Sequence, residues 1–170
     1  GTGYMKKRKC GGTLGAGLEL ADMDGDGDLD ALISSDEIST YPGITGIVWN
    51  DGRGNFSKYS ITRLPEHKKK WGILPEVSAS DLDNDGDLDI VISRTGYLYV
   101  GTAIQVIENL GNKKLKDHGI FPLVEAPSDY IPVHEGNEWN DFIEDIRFRD
   151  LDKDGDIDLY LSSSMSLKTN

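Results

Sequence analysis

The chain has 170 residues, 37% of them hydrophobic, with 20 Gly, a single cysteine at Cys10 and a formal net charge of −12. This composition indicates one compact folded unit or a short repeat array without an intrachain disulfide. The acidic charge argues against a nucleic-acid partner, because every phosphate would be repelled. The sequence has no apolar run of about 18 residues, so no membrane span is predicted.

An acidic stretch of nine residues occurs three times, and the copies start 59 and then 69 residues apart. We number its positions one to nine and call the copies loop 1 (residues 22–30), loop 2 (81–89) and loop 3 (150–158). The similarity extends beyond the loops, because an Asn-x-Gly turn begins 28 residues after the first aspartate, at Asn50 and at Asn109. The three stretches therefore mark an internal repeat.

The sequence ahead of each loop alternates apolar with polar or small residues, as at Leu18 and Leu20 in the first repeat. This period of two predicts a strand. The residues that end and follow each loop (29–33, 88–92 and 157–161) are apolar on both faces. They predict a second strand that is buried on both sides.

A third strand is predicted just ahead of the Asn-x-Gly turn, whose Asn and Gly residues (Asn50 and Gly52, Asn109 and Gly111) are expected to supply the positive φ of a tight hairpin. A fourth strand begins six residues after the turn starts, near Phe56 and Leu115. Each repeat is thus predicted to be a four-stranded antiparallel meander of about 60 residues, which is the size of a propeller blade.

Five aspartates in each loop predict a calcium site, since Ca²⁺ takes about 6 to 8 oxygen ligands. Carboxylates at positions one, three, five and nine are expected to face the ion. Glycine at position six allows the bend that turns the main-chain oxygen of position seven inward and leaves that side chain outward. Three ions are expected, and the predicted metal-binding residues are Asp22, Asp24, Asp26, Asp28, Asp30, Asp81, Asp83, Asp85, Asp87, Asp89, Asp150, Asp152, Asp154, Asp156 and Asp158.

Three other interpretations of the loops compete with calcium. Solvated acidic turns would hold five mutually repelling carboxylates in a fixed bend, which destabilises a fold. Mg²⁺ prefers near-octahedral geometry and keeps several waters. An EF-hand closes its shell with a glutamate at position twelve, where this chain has Ile33, Ile92 and Leu161. A calcium loop between strands is therefore the favoured prediction.

The D-x-D-x-D-G-D-x-D loop, the strand that follows it and residues 50–56 resemble the FG-GAP or VCBS repeats of integrin α-chain propellers, propeller lectins and many secreted bacterial proteins. The resemblance covers residues 17–64, 77–123 and 145–163. It implies an all-β fold of propeller blades with the calcium loop between the first two strands, at the bottom of the propeller. Ligands would bind at the opposite face or between blades.

On this basis the chain is divided into a lead-in at 1–16, in part tag-derived, blade 1 at 17–76, blade 2 at 77–144 with an insertion at 124–140, and a partial blade 3 at 145–170. Two blades and half of a third do not close a ring, which takes several more. The chain is therefore expected to be part of a larger propeller. Assembly of several chains into a ring, or an open stack, stays an alternative.

The function predicted from the sequence is a structural calcium-binding module of an adhesion or lectin-like protein that is extracellular, at the cell surface or periplasmic. No motif for a catalytic nucleophile or phosphate loop is visible, so the module is not expected to be an enzyme. Part of a secreted polysaccharide-degrading enzyme is the alternative.

The partners expected besides calcium are a glycan or an extracellular protein. Aromatic side chains on the long connections between blades suit sugar rings. For the two tryptophans among them, the alternative is packing between neighbouring blades. The candidate ligand-binding residues are Trp71, Tyr130, His134 and Trp139.

Overall fold

The structure is a computed structural model that describes residues 17–35, 37, 44–67, 71–72, 76–96, 101–124 and 141–165. Within these residues the chain forms ten strands and no helix, which confirms the all-β class. The strands are β1 (Leu18–Ala21), β2 (Asp30–Ile33), β3 (Gly46–Asn50), β4 (Phe56–Arg63), β5 (Val77–Ser80), β6 (Asp89–Thr95), β7 (Thr102–Asn109), β8 (Leu115–Val124), β9 (Asp141–Arg149) and β10 (Asp158–Met165).

The strands form two four-stranded antiparallel sheets and one hairpin, each in chain order. Blade 1 has the order β1-β2-β3-β4, blade 2 has β5-β6-β7-β8, and β9 pairs with β10. Leu20 lies opposite Ala31, and the equivalent residues Ala79 and Ile90 lie opposite each other, so the blades share one register around their loops. Each sheet is the meander expected of a propeller blade, and the described residues form no closed propeller.

Parts of the predicted division into blades lie outside the described residues or differ from the strand bounds. The lead-in at 1–16 and residues 125–140, which are most of the predicted insertion, lie outside them. The strand that opens the third sheet, β9, begins at Asp141, inside the range assigned to blade 2.

Alternate side chains of β6 contribute to two hydrophobic cores. Ile90 and Ile92 have no exposed surface and join Leu32 in the core between blades 1 and 2. Val91, which points to the other side of the sheet, joins Ile143 of β9 in a second core. The burial of β6 along its whole length confirms the prediction of two-sided burial for blade 2, whereas Tyr160 of the equivalent strand β10 is exposed. In β2 only alternate residues are buried, because blade 1 packs against a described neighbour on one face.

The outer faces of this array expose apolar side chains. Leu18 and Leu20 on β1 are 61% and 54% exposed, and Tyr160 on β10 is 60% exposed. Val77 and Ala79, which occupy the positions of Leu18 and Leu20 in blade 2, pack into the core shared with blade 1. The outer face of blade 1 therefore has the composition of a face between blades.

A buried charge network, which we call the Arg94 network (Arg94, Glu37 and Gln105), holds the linker between blades 1 and 2. Arg94 has no exposed surface and donates to both carboxylate oxygens of Glu37 at 3.2 and 3.1 Å. It also donates to Gln105 Oε1 at 2.9 and 2.6 Å. The main-chain oxygens of Pro65 and Trp71 accept from its guanidinium at 3.3 and 2.7 Å, so the linker is fixed to the far end of β6 from loop 2.

The network continues to a half-buried pair on the linker side. Gln105 Nε2 donates to Asp117 Oδ1 at 3.1 Å, and His67 Nε2 lies 3.1 Å from Asp117 Oδ2. Burial alone would raise the pKa of the Asp117 carboxyl, but hydrogen bonds from the Gly119 N–H, Gln105 and His67 outweigh it, so the pKa lies below its ordinary value. The main-chain N–H of His67 donates to Glu37 Oε2 at 2.9 Å and closes the circuit.

Candidate metal centres

Each acidic loop connects the first strand of its sheet to the second. Loop 1 joins β1 to β2, loop 2 joins β5 to β6, and loop 3 joins β9 to β10, as predicted. The glycine at position six has a positive φ in every loop, with values of 92°, 95° and 99° at Gly27, Gly86 and Gly155. Each loop therefore bends in the left-handed region that glycine adopts at least cost.

Position four also has a positive φ, which the sequence pattern did not indicate. Loop 1 has Gly25 there with φ of 71°, whereas loops 2 and 3 have Asn84 and Lys153 with φ of 60° and 66°. A lysine in this region is uncommon and is strained relative to glycine. Loop 3 therefore adopts the same backbone conformation at position four, although lysine favours a positive φ less than the Gly and Asn of the other loops.

The carboxylate at position one is held by backbone N–H groups of its own loop. Asp22 accepts from the N–H groups of positions five and six at 3.1 and 2.9 Å. Asp81 accepts from the same positions at 3.1 and 3.0 Å. Asp150 accepts from positions four and six at 2.6 and 3.2 Å. This shared arrangement fixes the start of each loop around one carboxylate.

The carboxylate at position nine is buried in both complete blades. Asp30 and Asp89 are 2% and 3% exposed, and each accepts from the N–H of position two at 3.1 or 3.0 Å. Burial raises the pKa of both carboxyls above its ordinary value, backbone N–H donors oppose this, and the charges of positions three and five raise the pKa further. Ionised carboxylates here therefore cost free energy unless positive charge is near.

Three aspartates in each loop bring carboxylate oxygens within 4.8 Å of one another, so that each group can hold a metal ion. Positions one and three belong to every group, together with position nine in loops 1 and 3 and position five in loop 2. The side chains of Asp26, Asp89 and Asp154, also predicted as ligands, lie outside these groups. The groups are Asp22, Asp24 and Asp30; Asp81, Asp83 and Asp85; and Asp150, Asp152 and Asp158.

The side chain at position seven belongs to none of the groups. A Cβ atom on Gly52 would lie 2.8 Å from Asp28 Oδ2, and one on Gly111 would lie 2.8 Å from Asp87 Oδ2. Both carboxylates therefore lean against the glycine of their own β3–β4 or β7–β8 hairpin. A main-chain ligand role for Asp28, Asp87 and Asp156 stays a prediction.

One oxygen in loop 1 bears on whether a cation fits. Asp24 Oδ1 is buried and has no hydrogen-bond partner among the described residues. A buried carboxylate oxygen without a donor costs free energy, which a bound cation would remove. All candidate metal-ligand atoms in the three groups are carboxylate oxygens, which hard divalent cations prefer. The residues therefore fit an ion of the calcium type.

The expectation that Asn and Gly supply the positive φ of the hairpin is confirmed for Gly52 and Gly111 and is wrong for Asn50 and Asn109. Neither asparagine has a positive φ, which belongs instead to Gly52 and Gly54 in blade 1 and to residues 111–113 in blade 2. The main-chain N–H of each asparagine donates to the position-nine carboxylate at 2.8 or 2.9 Å. Each Nδ2 donates to the main-chain oxygen of position eight at 3.1 or 3.2 Å. The sequence signal for this hydrogen-bonding role of Asn50 and Asn109 was their constant position, 28 residues after the first aspartate of the loop.

Neighbouring loops are also linked to one another. Asn109 Nδ2 donates to the main-chain oxygen of Met23 in loop 1 at 2.9 Å. Asn84 Nδ2 in loop 2 donates to the main-chain oxygen of Gly155 in loop 3 at 3.4 Å. The three candidate centres therefore lie in a row along one edge of the stacked sheets.

Of the four candidate ligand-binding residues, the structure describes only one. Trp71 is 6% exposed and its main-chain oxygen accepts from Arg94. This burial favours the alternative, packing between blades, over stacking on a sugar ring, and the ligand-binding role of Trp71 stays a prediction. Tyr130, His134 and Trp139 lie outside the described residues, and their role stays a prediction.

With this geometry in place, comparison with known protein families adds one finding. The family model described as the FG-GAP-like repeat matches residues 22–92. Residues 22–92 form an FG-GAP-like repeat. Comparisons with curated proteins and with solved structures found no match.

The FG-GAP-like repeat begins at the first aspartate of loop 1 and ends inside β6, so it contains loops 1 and 2. Loop 3 lies beyond the matched range. It resembles loops 1 and 2 in its pattern of aspartates and in its place between the first two strands of a sheet, β9 and β10. Within the described residues no helix is long and apolar enough to cross a membrane.

Proposed function

We propose that this chain is a calcium-binding module of propeller blades, in which three Ca²⁺ ions hold the first two strands of each blade together. The observation that carries the proposal is the recurrence of three converging carboxylates at one place in every sheet. The partnerless buried oxygen of Asp24 supports it, as do the two buried position-nine carboxylates. The role of the ion is structural, because it would offset repulsion within a loop that the backbone already forms.

Calcium is favoured over Mg²⁺ by the character of the loops. Each loop offers several carboxylate oxygens from one short stretch, whereas Mg²⁺ demands near-octahedral geometry and keeps several waters. The proposed setting is extracellular, at the cell surface or periplasmic, because calcium outside the cell is abundant enough to fill sites with Kd of about 10⁻⁴ to 10⁻³ M. The FG-GAP-like repeat supports a binding role, for which a glycan or an extracellular protein is the proposed partner.

Calorimetry on chelator-treated protein tests the calcium proposal. Three sites are expected for Ca²⁺, with Mg²⁺ competing poorly. Absence of calcium uptake at millimolar concentration would contradict the proposal.

A second experiment tests the binding role. Binding of glycans or matrix proteins in a calcium-dependent screen, without turnover, would support a binding module. Cleavage of a polysaccharide would favour an enzyme instead.

A further inference from the structure

Lys113 lies in the turn between β7 and β8 of blade 2, but its side chain reaches loop 1 of blade 1. The Nζ atom is 2.8 Å from Asp24 Oδ2 and 4.1 Å from the centre of the Trp49 ring. Trp49 itself is fixed, because it is 7% exposed and its indole N–H donates to Thr62 Oγ1 at 2.9 Å. A cation from one blade is therefore placed between an aspartate and an aromatic ring of the preceding blade.

Loop 1 differs in this respect from the other two loops. At position three, Asp83 Oδ1 accepts from the N–H of position five at 3.2 Å, and Asp152 Oδ1 does the same at 3.2 Å. Asp24 instead has Lys113 on one oxygen and no hydrogen-bond partner on the other. In the part of the chain that the structure describes, no lysine or arginine side chain pairs with an aspartate of loop 2 or loop 3.

We propose that Lys113 is a resident counter-cation of loop 1 that lowers the calcium affinity of that loop and ties its occupancy to the contact between blades 1 and 2. The inference rests on the proposed calcium function. Without calcium, the ammonium offsets part of the negative charge of five aspartates. With calcium bound near Asp24, two cations share one carboxylate and repel each other.

The electrostatic effect of Lys113 should outweigh any benefit it brings by orienting Asp24. Its side chain is 47% exposed and flexible, so it fixes a carboxylate poorly and can swing into solvent. The loop itself is held by backbone donors to Asp22 and Asp30, which do not involve Lys113. Loop 1 should therefore bind calcium more weakly than loop 2, and binding should draw the ammonium away from Trp49.

Calcium calorimetry on the full chain tests this inference, with Asp24→Asn identifying the binding step that belongs to loop 1. Lys113→Met should tighten that step about tenfold at low salt and leave the others unchanged. The difference should shrink in high salt, because exposed charges are screened. Lys113→Arg keeps the charge and should behave as wild type. Lys114→Met removes the same charge from the same exposed turn and should leave every step unchanged.

A second measurement uses the wild-type chain and so does not depend on the folding of a variant. The indole N–H signal of Trp49, followed by NMR during a calcium titration, should shift as loop 1 fills. An unmoved signal at saturation would overturn the inference, as would a Lys113→Met chain whose loop 1 affinity is unchanged or weaker. If loops 2 and 3 also bind no calcium, the proposed function fails and this inference fails with it.

Discussion

Within a loop, the backbone assigns each aspartate a different task. Position one accepts two N–H groups of its own loop and shapes the bend, while position seven leans on the hairpin glycine. Position nine is buried in the two complete blades, where the asparagine that ends the third strand holds it. Position three converges with position one in every loop, and in loops 2 and 3 it also accepts from the N–H of position five. The five carboxylates should therefore respond differently to substitution.

Asp83→Ala should remove one calcium site, because Asp83 belongs to the converging group of loop 2. Asp87→Ala is the matched control in the same loop and should lose much less affinity, since its carboxylate lies against Gly111 and only its main-chain oxygen is predicted to bind. Calorimetry of both variants measures the difference. Equal losses would show that position seven coordinates through its side chain.

Asn109→Ala should destabilise the chain by about 1–3 kcal/mol, because one buried and one half-buried main-chain oxygen lose a donor. These oxygens belong to Leu88 in loop 2 and to Met23 in loop 1. Asn50→Ala removes the equivalent bond in blade 1, to Leu29, without a described bond to another loop. It should therefore cost less. Denaturant unfolding of the two variants in chelator separates this effect from calcium, and equal costs would count against the link between loops.

At the scale of elements, the sheets contact one another through apolar faces near the loops and through the Arg94 network at the opposite ends of the strands. Arg94 and Gln105 lie on neighbouring strands of blade 2, and Glu37 comes from the connection after β2. The guanidinium satisfies two linker carbonyls as well as the carboxylate. The network thus fixes where the chain crosses from one blade to the next.

Glu37→Gln should destabilise the chain by about 3–5 kcal/mol, because it leaves the charge of fully buried Arg94 without its ionic partner. Glu108→Gln removes a carboxylate that pairs with Lys116 and His118 at the surface, and it should change stability little. Chemical unfolding compares the two. A Glu37→Gln chain as stable as the control would mean that the carbonyls and Gln105 suffice for Arg94.

The sequence predicted the strands well because the first strand of each repeat alternates, the second is an apolar run, and each loop recurs in register. The turn spacing alone predicted where β3 and β7 end and where β4 and β8 begin. Contacts between blades could not be predicted this way. Ser35 in blade 1 occupies the position of Arg94, so nothing in the repeat announces the Arg94 network. Lys113 likewise looks like a solvated turn lysine, because its partners belong to the preceding blade.

For the whole molecule, acid should act oppositely on the calcium-free and calcium-loaded chain. The pKa values of the Asp30 and Asp89 carboxyls are raised in the fold. A raised pKa means that protonation stabilises the folded state, so this contribution is lost as the pH rises through the folded pKa and regained on acidification. Calcium needs ionised carboxylates, so protons compete with it.

Thermal scans in chelator and in calcium measure this effect. At neutral pH, calcium at a hundredfold excess over Kd should add about 2.7 kcal/mol per site and raise the Tm by many degrees. From neutral pH to about pH 5, the Tm in chelator should hold or rise while the gain from calcium shrinks. The low pKa of Asp117 takes effect at a still lower pH, where its contribution to stability is lost. A chelator Tm that falls over this range would contradict the raised pKa values.

The exposed leucines of β1 have a consequence for how copies of this array meet in solution. Blade 2 packs its Val77 face onto the back of blade 1, so the contact between blades is head-to-tail and joins two different surfaces. A contact of this kind has no twofold axis, and repetition of it gives either a closed ring or an open filament. If copies associate through the exposed side chains of Leu18, Leu20 and Tyr160, the mean size of the assembly should keep rising with protein concentration beyond a dimer, which sedimentation measures.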